Sequence, residues 1–320
     1  MTRTNFFRAH SREGSLIVAL LVMALIFSAI NPIYFSFGNM QDIVDQTTII
    51  GLMALGTTVV IISAGIDLSL GSSLALVGVI VAQLLVAGLN PILCIILGLA
   101  CGFFFGMFNG ILVTRFKLQP FIATLGAMSL FRGVAYILTK GLPVMNMPPD
   151  FRYLVDGEIG DVIRISVFIF FAYALVIHIL LKNTRFGNYV YAIGGNEESA
   201  RLSGVKVGFN KVMIYSVGML GTALAAIVLI GKLGTGEPSA GQGYELNAIA
   251  AAAIGGTSMA GGRGSAIGTV LGTILFAGLK VGLIVVGVET FWQYIATGVV
   301  IVVAAYTEVI QSKFSATRKT

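Results

Sequence analysis

Apolar residues fill this chain in long blocks, and short polar stretches separate the blocks at regular intervals. A bilayer's hydrocarbon core is ~30 Å thick and takes ~20 apolar residues to cross as a helix, because every backbone polar group must be satisfied within the segment. Ten blocks of about that length can be read: about 15 to 31, 47 to 63, 70 to 88, 91 to 113, 119 to 139, 162 to 181, 209 to 231, 245 to 260, 265 to 286 and 290 to 307. The eighth, ELNAIAAAAIGGTSMAG, is short and Gly-, Ser- and Thr-rich in its second half, which suits a broken or re-entrant helix as well as a full crossing. Most connections are short, so the pattern predicts one bundle over residues 1–320 with no soluble domain attached. Two longer connections stand out. Residues 140–161 carry prolines and acids that predict a surface loop with one short helix, and residues 182–211 form a polar loop on the opposite side.

Composition turns this pattern into a class. With 57% hydrophobic residues, 11% charged residues and a mean hydropathy of +0.94, the chain is expected to be an all-α integral membrane protein. Lys and Arg accumulate in short cytoplasmic loops, so the charges orient the spans. If the chain starts inside and crosses ten times, 14 of its 20 basic residues fall inside: Arg3, Arg8, Arg12, Arg115, Lys117, Lys182, Arg185, Arg201, Lys206, Lys211, Arg263, Lys313, Arg318 and Lys319. Lys140, Arg152, Arg164 and Lys232 then face nine external acids, Asp42, Asp45, Asp150, Asp156, Glu158, Asp161, Glu237, Glu245 and Glu289. Both termini are therefore expected in the cytoplasm, with 140–161 periplasmic and 182–211 cytoplasmic. The net charge of +6 is this bias summed, and it needs no nucleic-acid partner. A cleaved leader would also begin with basic residues and an apolar run, but no small-x-small site follows, so the run is expected to stay as the first span.

The candidate chemistry is sparse. No GxxxxGK[ST] loop occurs, so the chain is not expected to bind ATP, and its two histidines and two cysteines form no metal pattern. Cys94 and Cys101 are seven residues apart on one helix, about 10 Å, too far to bridge, and are expected to pack. Within the spans, Lys280 can snorkel to an interface, Asn109 suits an interhelical hydrogen bond, and Asp67 suits capping of the third span. Arg132 either contacts a polar solute or holds neighbouring helix ends together. Two Gly- and Ser-rich breaks, SAGIDLSLGSS (Ser63 to Ser73) and GGTSMAGGRGS (Gly255 to Ser265), each end an inward crossing. Discontinuous helices at matching places in two halves point to a transport pathway, whereas two tight helix corners would use the same residues.

One polar stretch reads as a helix of its own. In GGNEESARLSG, Asn196 is an N-cap, Glu197 and Glu198 fill the first turn, Arg201 falls in the last, and Gly204 supplies a left-handed stop. A helix of about seven residues is marginal alone, so it must dock, either on the bundle's own inner face or on a soluble partner.

Several motifs now come together. FIATLGAMSLFRGVAYILTKGLPV, TRFGNYVYAIGGNEESARLSGVKV, AGQGYELNAIAAAAIGGTSMAGGRGSAIGTVLG and GTTVVIISAGIDLSLGSSLALVG resemble the permease subunits of bacterial monosaccharide ABC importers, nearest to the ribose type, from about Leu16 to Tyr306. The resemblance implies a ten-helix bundle similar to the cobalamin-type (type II) importers in the bacterial inner membrane. It implies a path formed by two copies of the chain, two cytoplasmic ATP-binding subunits or one duplicated ATPase, and a periplasmic sugar-binding protein. ATP and Mg would be used by those partners, and this chain would be no enzyme and bind no cofactor or metal. The coupling helix matches Asn196, Glu197, Glu198, Ser199, Ala200, Arg201, Leu202, Ser203 and Gly204, with Arg201 and Leu202 favoured for contact. The path is expected at Asp67, Ser69, Asn109, Arg132, Gly255, Gly256, Thr257 and Ser258, and binding-protein contact at Tyr244 and Glu245. Asn247 departs from the Asp usual after Glu-Leu in related chains, which points to a divergent substrate or a changed pairing with Lys232. An ion-coupled sugar transporter or channel is the alternative, and an intramembrane enzyme would need a catalytic dyad that the sequence lacks.

Overall fold

The computed structural model describes residues 3–306 except 161, 162, 290, 300, 301, 304 and 305. Its helices are α1 (Arg3–Ile30), α2 (Phe37–Ile62), α3 (Leu70–Val86), α4 (Pro91–Thr114), α5 (Pro120–Thr139), α6 (Pro149–Asp156), α7 (Ile165–Asn183), α8 (Arg185–Gly195), α9 (Glu197–Leu202), α10 (Val207–Leu233), α11 (Tyr244–Ile254) and α12 (Ala266–Val285). A two-residue antiparallel hairpin, β1 (Glu158–Ile159) with β2 (Ile163–Arg164), links α6 to α7. Residues 291–299 are also helical, while the rest of the expected tenth span lies partly outside the described residues. So do Asp161, Lys313, Arg318, Lys319 and the side chains of Arg3, Arg8 and Arg12.

Helix starts follow local chemistry. Asn90 accepts from the Ile92 and Leu93 amides with Pro91 at the first helical position, and Ser265 accepts from Gly268 N to open α12. Seven helices, α1, α2, α4, α5, α7, α10 and α12, are long and apolar enough to cross a membrane. Two of the expected spans are shorter apolar helices, α3 with 17 residues and α11 with 11, about 25 and 16 Å of rise. In the eighth block the helix stops at Ile254 and Gly255 to Ser265 is non-helical, so this block is not one continuous helix.

α2 and α10 form the centre, with 94% and 78% of their most apolar windows buried, whereas α4 and α5 turn most of theirs outward. Outward residues such as Ile137, Phe104 and Leu25 are apolar, as a lipid-facing surface requires. α4 meets α10 along four glycines spaced by four, Gly98, Gly102, Gly106 and Gly110. A Cβ at Gly106 would lie 2.3 Å from the Tyr215 carbonyl oxygen, and one at Gly110 would lie 2.6 Å from Val212 Cα. The glycines thus let two backbones approach where no side chain fits, which supplies packing energy that lipid cannot compete with.

The two ends of the bundle differ. At one end α6 and the hairpin cover α2, α7 and α10, so the expected short helix in 140–161 is present together with an unexpected hairpin. Asp45 there meets Arg164 at 2.7 Å and Lys232 at 2.5 Å. At the other end α8 and α9 lie between α7 and α10 in the chain, and α8 packs against α2, α7 and α10.

Candidate functional site

The break after α2 builds a polar centre. Asp67 is 1% exposed; its Oδ1 accepts from the Ser69 amide at 2.9 Å and the Ser69 hydroxyl at 2.7 Å. Asn109 on α4 donates through Nδ2 to Asp67 Oδ2 at 3.0 Å and to Ser69 Oγ at 2.8 Å, so its role as an interhelical hydrogen-bonding residue is seen directly. Asp67 does not cap α3 as expected. Ser69 occupies the N-cap position, and the carboxylate is used instead to fold the break and to receive Asn109. The Leu68 amide donates to Thr124 Oγ1 of α5, tying the same break to a third helix. All of Asp67, Ser69 and Asn109 are sealed inside a single copy of the chain.

A second non-helical segment follows α10. After the left-handed Gly234, Gly236 exchanges both backbone hydrogen bonds with Val144, and then the chain turns inward. Gly236 lies against Ala82 and the Gly78 carbonyl, but Gly241 lies against Gly71, so the segment descends about 16 Å alongside α3. Arg132 holds it there, donating from Nη1 to the carbonyls of Pro238 at 2.6 Å and Ala240 at 2.8 Å. Of the two readings of Arg132, the structure shows the holding of neighbouring backbone. α11 starts at the foot of this descent, where Glu245 accepts from Gly243 N and its other oxygen faces Gly71. Tyr244 and Glu245 are thereby set, partly exposed, at the start of α11 next to the first turn of α3. The starts of α3 and α11 meet there, and the two helices run to opposite ends.

The other break, Gly255 to Ser265, joins α11 to α12 and closes on α2. Gly255 packs on the Gly268 and Thr269 backbone of α12, Thr257 and Ser258 are buried, and Gly256, Gly261 and Gly262 take left-handed φ. Gly262 N donates to the Ile62 carbonyl at 2.8 Å, and Tyr191 of α8 donates to the Gly264 carbonyl at 2.8 Å. A Cβ at Gly194 of α8 would lie 1.7 Å from that same Ile62 oxygen. α8 was not anticipated from the sequence, although Thr184 followed by Gly187, whose amide it caps, was a readable start signal.

α9 matches its expected capping. Asn196 Oδ1 accepts from Ser199 N at 2.8 Å, Glu197 and Glu198 fill the first turn with Arg201 in the last, and Gly204 has φ 86°. Ala200 is its one buried residue, and Glu197 is held by Lys211 of α10 at 2.5 Å. Leu202 is 81% exposed, and among the described residues Arg201 forms ion pairs only within α9, with Glu197 and Glu198. Beside the helix opens a basic cleft of about 630 Å³ whose walls include Lys117, Arg201, Lys206 and Lys211. Lys232 is engaged by Asp45, which corrects its suggested pairing with position 247. Among the described residues no group of His, Cys, Asp and Glu is placed to hold a metal ion.

Residues 39–305 match the family described as branched-chain amino acid transport system / permease component. The ribose import permease protein of Bacillus subtilis (strain 168) is 43% identical over 289 residues, covering 90% of this chain and 89% of that protein. The ribose import permease protein of Escherichia coli (strain K12) is 39% identical over 305 residues, 94% and 95% of the two chains. The galactose/methyl galactoside import permease protein of the same E. coli strain is 34% identical over 316 residues, 93% and 94%. No solved structure matches.

Proposed function

From the premise that this chain belongs to the branched-chain amino acid transport system / permease component family, we propose that it is the transmembrane subunit of an ATP-binding-cassette importer for a ribose-type monosaccharide. The observation that carries this reading is end-to-end similarity to sugar import permeases, which favours a sugar over the amino acids of the family's description. The chain is a multi-pass membrane protein, and we place it in a bacterial inner membrane. It crosses ten times in the type II arrangement with both termini cytoplasmic. α3 with the break before it, and α11 with the segment before it, each make one broken crossing.

In this reading two copies form the path, surrounded by lipid, and a periplasmic sugar-binding protein delivers the solute. ATP and Mg are bound by two cytoplasmic ATP-binding subunits, or one duplicated ATPase, and none by this chain, which is not an enzyme. Transport then needs only that the partners bias a two-state bundle. α9 is the coupling element, because it is short, capped and pinned on one side by Ala200 and Glu197 while Arg201 and Leu202 project. Asp67, Ser69, Asn109, Gly255, Gly256, Thr257 and Ser258 act as packing joints of the path's helices. The external acids face the binding protein, with Tyr244 and Glu245 further down the entry.

The double substitution Ser199→Pro and Arg201→Glu tests the coupling. Pro removes the amide that Asn196 caps, and Glu reverses the projecting charge. In the assembled complex, sugar-stimulated ATP hydrolysis is expected to be lost with the chain still inserted, and unchanged stimulation sinks the assignment. Uptake that resists vanadate but collapses with an uncoupler at constant ATP would favour ion coupling instead.

A further inference from the structure

The descending segment brings one polar side chain to a depth where lipid cannot serve it. Gln242 is exposed on the surface of the single chain, between the left-handed Gly241 and Gly243. Its neighbour Gly241 abuts Gly71, about 22 Å along α3 from the end at Val86. From the other end, Leu68 bonds Thr124, about 6 Å into α5. Gln242 therefore lies between the two ends of the bundle, nearer the start of α3 than its end at Val86, and among the described residues its side-chain amide has no hydrogen-bond partner.

It does not stand alone there. Arg132, which clamps the nearby Ala240 carbonyl, lies close to both Glu245 and Tyr136; Tyr136 is exposed, and Arg132 and Glu245 are partly exposed. An unpaired amide on a short segment that also carries a carboxylate and is clamped by a cation makes a surface that hydrocarbon disfavours strongly, and such groups in spans face a bundle interior or a water-filled cavity. The segment's flanking glycines and its Arg132 clamp hold the amide outward, where it is not used for packing the fold.

We propose that Gln242 is a solute-contacting residue of the translocation path, hydrogen-bonding sugar hydroxyls within the bundle's thickness as they pass. An amide suits this solute class because it both donates and accepts, as a hydroxyl does, and it carries no charge that would trap a neutral molecule. The solute class rests on the permease reading above, and the facing of Gln242 toward water does not.

Two measurements test it. In a Cys94→Ser, Cys101→Ser background, Gln242→Cys in intact membranes is expected to react with a membrane-impermeant methanethiosulfonate. In proteoliposomes of the full complex, Gln242→Leu is expected to slow ribose uptake about fivefold, the loss of one net hydrogen bond, with an unchanged melting temperature, and Gln242→Asn to recover part of the rate. A cysteine that reacts only with a membrane-permeant reagent, as it would facing lipid or a dry seam between copies, overturns the assignment. So does uptake by Gln242→Leu equal to wild type. A wild-type complex that takes up no monosaccharide overturns the permease reading and the sugar with it, whereas an unreactive cysteine overturns the path assignment whatever uptake shows.

Discussion

Asp156 shows how a single carboxyl is governed by its surroundings at the α6 end. Burial pushes its carboxyl above the ordinary range, against the lowering effects of the Ser166 hydroxyl at 2.7 Å and of Arg164. A raised folded-state value favours the protonated form, so its contribution to stability is present below the unfolded pKa and lost as pH rises through the folded one. At neutral pH the ionised group is therefore a cost. Asp156→Asn, which keeps an acceptor for Ser166, is expected to melt at or above the wild type near pH 7, with the difference closing as pH falls toward the carboxylate range. Thermal unfolding of the purified protein in detergent at the two pH values checks this, and a wider gap at low pH contradicts it. At this scale the sequence was legible where the partner is local. Asn196 caps α9 because its acceptor and donor are three residues apart. Asp67 was misread because its second partner, Asn109, lies 42 residues away on another helix.

At the scale of elements, the contact between α4 and α10 depends on absent side chains. Gly106→Leu must separate the helices, since even its first carbon meets the Tyr215 carbonyl, and a cost of ~1–3 kcal/mol or more is expected. Gly98→Ala adds one carbon whose nearest neighbours are the Val81 and Ile227 side chains rather than backbone, so it should be milder, with the cost of shifting the stiff Val81. Melting temperatures in one detergent rank the two, and equal losses would mean that α4 relaxes as a rigid body. The helices themselves were readable from apolar block length, and so was the repeated four-residue glycine spacing. α3 ends within two residues of its expected bound, whereas the early stop of α11 at Ile254 was harder to read, because it depends on Gly255 packing against the α12 backbone and on left-handed Gly256.

For the whole molecule, orientation rests on where the charges fall, and it can be tested without any partner. In the same cysteine-free background, Lys206→Cys should react with an impermeant thiol reagent only from the cytoplasm and Lys140→Cys only from the other side, both positions being exposed. The reverse pattern would invert the bundle. Membrane class, the capped α9 helix and the two polar breaks were visible in one sequence because each is a local composition. The descent of residues 235–243 was not, since it is fixed by contacts with α3 and α5 that are distant in sequence.

The meeting of Gly194, Ile62 and Gly262 has a mechanical consequence. Three chain segments touch there through backbone atoms alone, with a hydrogen bond between two of them and no room for even a methyl group. Side chains can rotate and absorb a displacement, but peptide planes in contact cannot. A displacement of α8 could not be absorbed at this joint by side-chain rotation, so it would be felt by the end of α2 and by the segment between α11 and α12 together. A Gly194→Ala chain would have to open that joint merely to fold.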